Sequence, residues 1–312
     1  MEENKPGKER EDMFLELCPQ TSNVLGVSKG ACLQAQNMGS DTKLQNELLK
    51  EEKGEHEIYS HAIRYILLKS LDESSLCVGS AFFDKLRRGV FFETYLVTHM
   101  LSSFFFRKEF EEILERRFET NSECEIEDVK FLLSRCALLS PVPTYSNFVL
   151  VASFLTAAVR MDFNDFNCFD ILYISEFCLS VLYRRRFWKI FQSPGDYWRL
   201  KIFCDEFLEK CQPTHSKLTE LKKTSFGENW RNQIQSCMED NNVSFPLEES
   251  EIEMFKNASL VMNNMECSNE MSRRIENIFF SGSIKREMQS FCRFCRTKCH
   301  NYLTHVNSYI SI

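Results

Sequence analysis

The stretch that decides the fold class runs from Gly89 to Glu119 and reads GVFFETYLVTHMLSSFFFRKEFEEILERRFE. In its second half, large apolar residues recur at intervals of three and four with Glu and Arg between them, as the period of a helix requires. These residues are Phe106, Phe110, Ile113, Leu114 and Phe118. The first half is apolar on most sides, which is typical of a helix enclosed by neighbours. The stretch therefore predicts one long helix that is buried at its start and amphipathic at its end.

The rest of the chain also favours helices. Phe occurs 28 times, whereas Gly occurs 10 times and Pro 7 times, and this balance is typical of helical proteins. No segment has the convincing period-two alternation of a strand. We expect further helices over 58–71, from near Ser122 to Pro141, and over 145–161, 166–191, 194–211, 214–239, 247–265 and 269–310. The predicted fold is all-α, a multi-helix bundle or an irregular helical array, and a degenerate α-solenoid remains open.

Two of these helices have clear start signals. Ser122 stands three residues before Glu125, which is the spacing of a capping box. Ser193 is predicted to cap the helix over 194–211, with Pro194 in the first turn and Asp196 facing the positive end of the helix dipole. Both patterns predict where the chain turns into a helix.

Composition divides the chain into three parts. Residues 1–55 mix Lys, Glu, Gly, Ser, Asn and Gln with brief apolar clusters, so we expect a disordered N-terminal tail. Residues 56–240 are predicted to form a helical core domain. Residues 241–312 are predicted to form a C-terminal helical extension, with the loop over 239–246 as the boundary.

One segment is long enough to raise the question of a membrane span. No charged residue occurs between Cys136 and Val159. However, Pro141 and Pro143 interrupt its first third, and the apolar part from Phe148 onward is too short to cross a bilayer. We therefore expect a buried core helix and no contact with a membrane.

Charge and cysteine content indicate the compartment. The N-terminus, MEENKPGKERED, has no apolar run that could act as a signal peptide, so an intracellular protein of the nucleus or cytoplasm is expected and a secreted one is not. The 14 cysteines are then predicted to stay reduced and to pack as small apolar groups. The net charge of −7 argues against a surface built as a whole to hold nucleic acid.

The cluster CRFCRTKCH, from Cys292 to His300, has two interpretations. Cys292, Cys295 and Cys299 could hold zinc, but no second half-site follows. On a helix, His300 would point about 100° away from Cys299. The favoured interpretation is a heptad-like seam that packs on the main body, on a second copy or on a protein partner. Its candidate partner-binding residues are Met288, Cys292, Cys295, Cys299, Tyr302 and Val306.

Two basic segments, 184–189 and 285–298, could contact a phosphate backbone. The candidate residues are Arg184, Arg185, Arg186, Lys189, Arg293 and Arg296. Basic residues in the last turn of a helix also complement its dipole, which describes the first segment well. Nucleic-acid association is therefore the alternative hypothesis.

Motifs of catalysis are missing from the sequence. It has no phosphate loop, no dinucleotide-binding glycine pattern, no HExxH and no Gly-x-Ser-x-Gly elbow. The six histidines are scattered, and His99 is predicted to be a core residue with its hydrogen bonds satisfied. We therefore expect a non-enzymatic helical scaffold or adaptor, without a cofactor, that acts through protein–protein interaction.

Overall fold

The computed structural model describes residues 57–73, 88–120, 125–166, 168–210, 225–240, 243–264, 301–302 and 304–305. Over these ranges every regular element is a helix, which confirms the predicted all-α class. The helices are α1 (57–69), α2 (Arg88–Met100), α3 (Arg107–Glu115), α4 (Glu125–Leu139), α5 (Tyr145–Phe166), α6 (Asp170–Arg185), α7 (Pro194–Lys210), α8 (Ser225–Glu239) and α9 (Glu249–Asn263). Short 3₁₀ turns cover Ser70–Glu73, Arg116–Thr120 and Phe187–Ile190, and a π-helical turn covers Leu101–Phe105.

Some predicted elements fall beyond these ranges. The N-terminal tail over 1–55 lies outside the described residues, as does Ser122 of the predicted capping box. The helix predicted over 269–310 is described only at 301–302 and 304–305, where it is helical. All described residues belong to one compact unit, Leu48–Ile312. The division into a core and an extension at residue 241 stays a prediction.

The single long helix predicted over Gly89–Glu119 is wrong, because the chain bends at Phe106. The amide of Phe106 donates to the carbonyl of Leu101 at 2.9 Å, a bond that spans five residues and creates the π-helical turn. Ser102 bonds to the carbonyl of His99, so a side chain competes for a backbone acceptor here. From α5, Arg160 donates to the carbonyl of Ser102 at 2.8 Å and also bonds to Ser103. A distant arginine thus stabilises the break.

Helix α5 is the centre of the core. It contacts α2, α3, α4 and α6, and the side chains of residues 147–159 are all buried. Its length and composition would allow it to cross a membrane, yet 78% of its most apolar window is buried inside the protein. The expected buried helix is confirmed. It begins at Tyr145, as predicted, but it ends at Phe166 and not at residue 161.

Helix α7 starts as its sequence predicted. The Asp196 carboxylate accepts the amides of Gln192 and Ser193, at 3.0 and 2.9 Å, and also the Ser193 hydroxyl. In return, the Asp196 amide donates to the Ser193 carbonyl at 2.9 Å. The reciprocal bonds satisfy donors that a helix start leaves free, and they place the carboxylate at the positive end of the dipole.

Two arginines, one buried and one partly buried, cap the C-terminal end of α8. Arg135, on α4, donates to the carbonyls of Cys237 and Asp240, and Arg116 donates to that of Met238. The last carbonyls of a helix have no partner within it and carry partial negative charge, so a cation there satisfies both needs. In this fold, therefore, arginine side chains serve in part as internal connectors between helices.

Candidate functional site

The predicted basic segment lies at the end of α6, where the structure separates its arginines. Arg185 turns inward and forms a two-pronged ion pair with the buried Glu251, with Nε 2.9 Å from one carboxylate oxygen. Arg186 donates to the carbonyl of Ala137 at 2.9 Å and to that of Ser140, and so caps α4. Burial lowers the pKa of Arg186 from its ordinary value. These two cations hold helices together.

The other two cations of the segment point outward. Arg184 is exposed, and its Nη1 lies 3.4 Å from the sulfur of Met254 on α9. Lys189 is exposed beside Trp188, with its ammonium 5.8 Å from the ring centre. Neither cation forms an ion pair with a carboxylate among the described residues. Sequence reasoning treated 184–189 as one patch, but only half of it is available to a ligand.

An apolar stripe on α9 continues from this point. Met254 and Val261 are seven residues apart, so they lie on one face of the helix, two turns from each other. Both are exposed, and Leu260, which lies about 100° around the helix from Val261, is exposed at the edge of this face. We call this region the α6–α9 surface, and it consists of Arg184, Trp188, Lys189, Met254, Leu260 and Val261.

Tyr302, the described member of the predicted seam, is buried against the main body. Its hydroxyl donates to Oε2 of Glu176 at 2.6 Å, and Arg64 Nε donates to Oε1 of the same carboxylate at 2.7 Å. Burial raises the pKa of Tyr302 well above its ordinary value. The remaining predicted residues of the seam and of the second basic segment lie outside the described residues. They are Met288, Cys292, Cys295, Cys299, Val306, Arg293 and Arg296.

A row of aromatic rings follows the outer side of α2, which sequence reasoning did not predict. Phe92, Tyr95, His99 and Phe104 form consecutive pairs, with ring centres 6.4, 6.0 and 5.3 Å apart. His99 is half-buried between Tyr95 and Phe104, and its Nδ1 lies 2.9 Å from the hydroxyl of Ser103. His99 therefore lies at the boundary between the core and the solvent, and it is not the core residue that was expected.

Helix α7 lies beside α2 and adds two exposed apolar side chains. Glu93 and Lys201 join the helices through an ion pair of 3.0 Å, and the Lys201 ammonium lies 5.7 Å from the ring of Trp198. Trp198 and Ile202, one turn apart, face solvent. We call Phe92, Phe104, Trp198 and Ile202 the α2–α7 surface. These four side chains are 44% to 58% exposed.

The described cysteines show the chemistry of packing. None of the five takes part in a disulfide. Four of them are buried, and burial raises the pKa of Cys204 to about 12 and that of Cys237 to about 11. Over the ranges that the structure describes, no group of three or more His, Cys, Asp or Glu side chains could hold a metal ion. The alternative zinc site at Cys292, Cys295 and Cys299 falls beyond those ranges.

Comparison of the chain with protein-family models, with curated proteins and with solved structures finds no match. Functional inference therefore rests on the residues of this chain alone.

Proposed function

We propose that this protein is a non-enzymatic intracellular helical scaffold or adaptor, of the nucleus or the cytoplasm, that works by binding protein partners. The observation that supports the proposal is the α2–α7 surface. Its four large apolar side chains stay exposed on two helices that pack together and on the turn after α2, and clusters of exposed apolar side chains on a monomer are typical of interaction sites. Full burial of such a side chain is favourable by about 1.5–3 kcal/mol. About half of each side chain is still exposed, so covering the rest would contribute roughly 0.7–1.5 kcal/mol apiece before the costs of association.

The helices beneath this surface are well held, which favours recognition of a partner. Phe91 and Tyr197, on the inner faces of α2 and α7, are buried with ring centres 6.3 Å apart. The hydroxyl of Thr94 meets the thiol of Cys204 at 3.7 Å. A surface on packed helices loses little conformational entropy when a partner binds. Trp198 also belongs to a residue type that is enriched at binding hot spots.

The free thiols support the intracellular part of the proposal. None of the five described cysteines takes part in a disulfide, and thiols persist where the compartment is reducing.

The experiment is affinity purification of the full chain beside the double variant Phe104→Ser with Trp198→Ser. We expect the recovered amount of at least one co-purified protein to be lower by about tenfold or more with the variant than with the natural chain, because two anchoring side chains are removed. The purified partner should then bind the natural chain directly. Val142→Ser is the matched control, because Val142 is equally exposed but lies in the loop after α4. Unchanged retention of every direct partner by a folded double variant would contradict the proposal.

Contact with a phosphate backbone through 184–189 and 285–298 is the second candidate function. Arg184 and Lys189 are exposed and favour it, whereas Arg185 and Arg186 are committed to internal contacts. If this function is correct, retention on DNA or RNA should fall steeply with added salt and should be lost in Arg184→Glu with Lys189→Glu. Retention that ignores both changes would remove it.

A further inference from the structure

We propose that the α6–α9 surface is a second binding site, which takes an amphipathic protein helix that has one or two carboxylates beside its apolar face. The proposal extends the proposed function, since it still requires a protein partner, but it concerns other helices and another ligand chemistry. An adaptor needs two such sites.

The cations of the surface define the acidic part of the ligand. The guanidinium of Arg184 makes its described contact with the Met254 sulfur, which is a weak acceptor, and therefore keeps donors for a carboxylate. The Lys189 ammonium lies over Trp188. Trp188 and Lys189 lie in the 3₁₀ turn that follows α6, four and five residues after Arg184, so both charges belong to one short segment of the chain. Two outward-facing cations in one short segment suit a ligand that carries one or two carboxylates, because charge-assisted hydrogen bonds to a carboxylate are strong.

The stripe on α9 defines the apolar part of the ligand. From Met254 to Val261 it extends about 10 Å, which is two helical turns. A partner helix that binds through apolar side chains at i, i+3, i+4 and i+7 presents an apolar stripe of the same length. Methionine adapts its shape to different apolar side chains, and tryptophan and arginine are frequent hot-spot residues. One end of the site is thus cationic and the rest is apolar.

Charge on α9 argues against a nucleic acid as the occupant. Glu249 and Glu253 are exposed on the first turns of the same helix, close to Met254 in sequence. A phosphate backbone brings a charge at every nucleotide and would meet these carboxylates as well as the two cations. A peptide that carries its one or two carboxylates only near Arg184 and Lys189 avoids this repulsion.

The test uses the full chain and a fluorescein-labelled 18-residue helical peptide with leucines at i, i+3, i+4 and i+7 and glutamates at one flank. We expect a rise in fluorescence anisotropy with a Kd of about 100 µM or tighter. Three other probes are a peptide with lysines in place of the glutamates, a peptide with serines in place of the leucines, and a 20-nucleotide single-stranded DNA. Each should bind at least about tenfold more weakly than the acidic peptide, because each lacks one half of the recognition.

Variants locate the binding. The double variant Arg184→Glu with Lys189→Glu should bind the acidic peptide more weakly, by about tenfold or more. Trp188→Ala should also weaken the binding of this peptide. The double variant Arg184→Gln with Lys189→Gln should reduce the affinity by an intermediate amount. It replaces the charge-reversal variant in the test if charge reversal disturbs folding. Lys108→Glu is the matched control, since Lys108 is exposed on α3. The α2–α7 double variant should bind the peptide as the natural chain does, so the failure of one proposal can be told from the failure of the other.

Three results would overturn the proposal. They are no binding of the acidic peptide at that concentration, equal binding of the lysine peptide, and binding that the charge variants leave unchanged in a folded protein. Tighter binding of the DNA would favour the nucleic-acid function in its place. A photo-crosslinker on the leucine face of the peptide should label Met254 or its neighbours on α9, and labelling elsewhere also counts against the site.

Discussion

Glu176 receives two side chains that lie 112 and 126 residues away from it in the sequence, Arg64 and Tyr302. Both oxygens of the carboxylate are bonded, and the side chains of Arg64 and Glu176 are 9% and 12% exposed. Burial of a charge is costly unless the charge is paired and hydrogen-bonded, and here both conditions are met. Each partner therefore depends on the others.

We predict a graded series of stabilities at this site. Glu176→Ala should lower the free energy of unfolding by about 3–5 kcal/mol, because it removes the buried carboxylate that pairs with the Arg64 guanidinium. Tyr302→Phe removes one hydrogen bond to a charged acceptor and should cost about 1.5–3 kcal/mol. Urea unfolding measures both changes. Arg107→Ala, which breaks an exposed pair with Glu111, is the control and should have little effect. Equal effects of all three would contradict this account.

Burial also decides which thiols react. Cys136, Cys178, Cys204 and Cys237 are buried with raised pKa values, whereas Cys168 is half-buried. Only the thiolate attacks an alkylating reagent, so we predict that iodoacetamide at pH 8 labels Cys168 well before the other four. Peptide mass spectrometry gives the order, and labelling in urea supplies the fully exposed reference. Similar rates for all five in the native protein would show that the core opens easily.

At the scale of elements, the short helical piece that includes Tyr302 contains a titratable group. Burial lowers the pKa of His305 from its ordinary value, with Glu176 acting in the opposite direction and Arg64 in the same one. In the docked piece, His305 therefore takes up a proton less readily than a free imidazole does. Once undocked, the imidazole takes up a proton as pH falls below about 6.5, while the docked one does not. The undocked state then binds more protons, so the docked state loses stability as pH falls from 6.5 towards the folded pKa. Above pH 6.5 the contribution of His305 to docking is fully present.

We predict faster amide exchange at 301–305 at pH 5.5 than at pH 7.5, after correction for the intrinsic rates. The cause is the proton that His305 takes up only when it undocks. Hydrogen–deuterium exchange with mass spectrometry measures this difference. In His305→Gln the difference should shrink, because the titrating group is gone. A difference of the same size in the variant would assign the pH effect to other groups.

At the scale of the whole molecule, α5 joins the helices around one core, and the candidate surfaces lie outside it. Phe154 on α5 is fully buried, and its ring centre lies 5.6 Å from that of Phe110 on α3. Phe104 is 58% exposed at the edge of the α2–α7 surface. The same residue type thus occupies a structural and a candidate functional position.

We predict that Phe154→Ala lowers the free energy of unfolding by about 3–5 kcal/mol, since it removes buried area and leaves a cavity. Phe104→Ala should change the same quantity by less than about 1 kcal/mol, because its ring is already largely in water. Chemical denaturation of both variants measures the contrast. A large loss in Phe104→Ala would mean that this surface belongs to the core and is no binding site.

The pattern of apolar residues was enough to predict most helices, but not all of their ends. The helix predicted over 166–191 runs only from Asp170 to Arg185, and a separate 3₁₀ turn follows it. The start of α7 is set by the hydrogen bonds between Ser193 and Asp196, and α5 begins just after two prolines. Both starts therefore depend on residues that are close together in the sequence. The break after Met100 was not predictable in this way, because Arg160, 58 residues from Ser102, binds the carbonyl there. Periodicity alone could not separate α2 from α3.

The sequence by itself determined the helical class, the buried character of α5 and the positions of several helix starts, because these depend on residues a few places apart. Only the tertiary structure decided which arginines of 184–189 turn inward, since Arg185 pairs with Glu251, 66 residues away. It also decided which aromatic residues of α2 and α7 stay in water. Side-chain roles of this kind depend on charges and surfaces that distant segments bring together, and no local pattern records them.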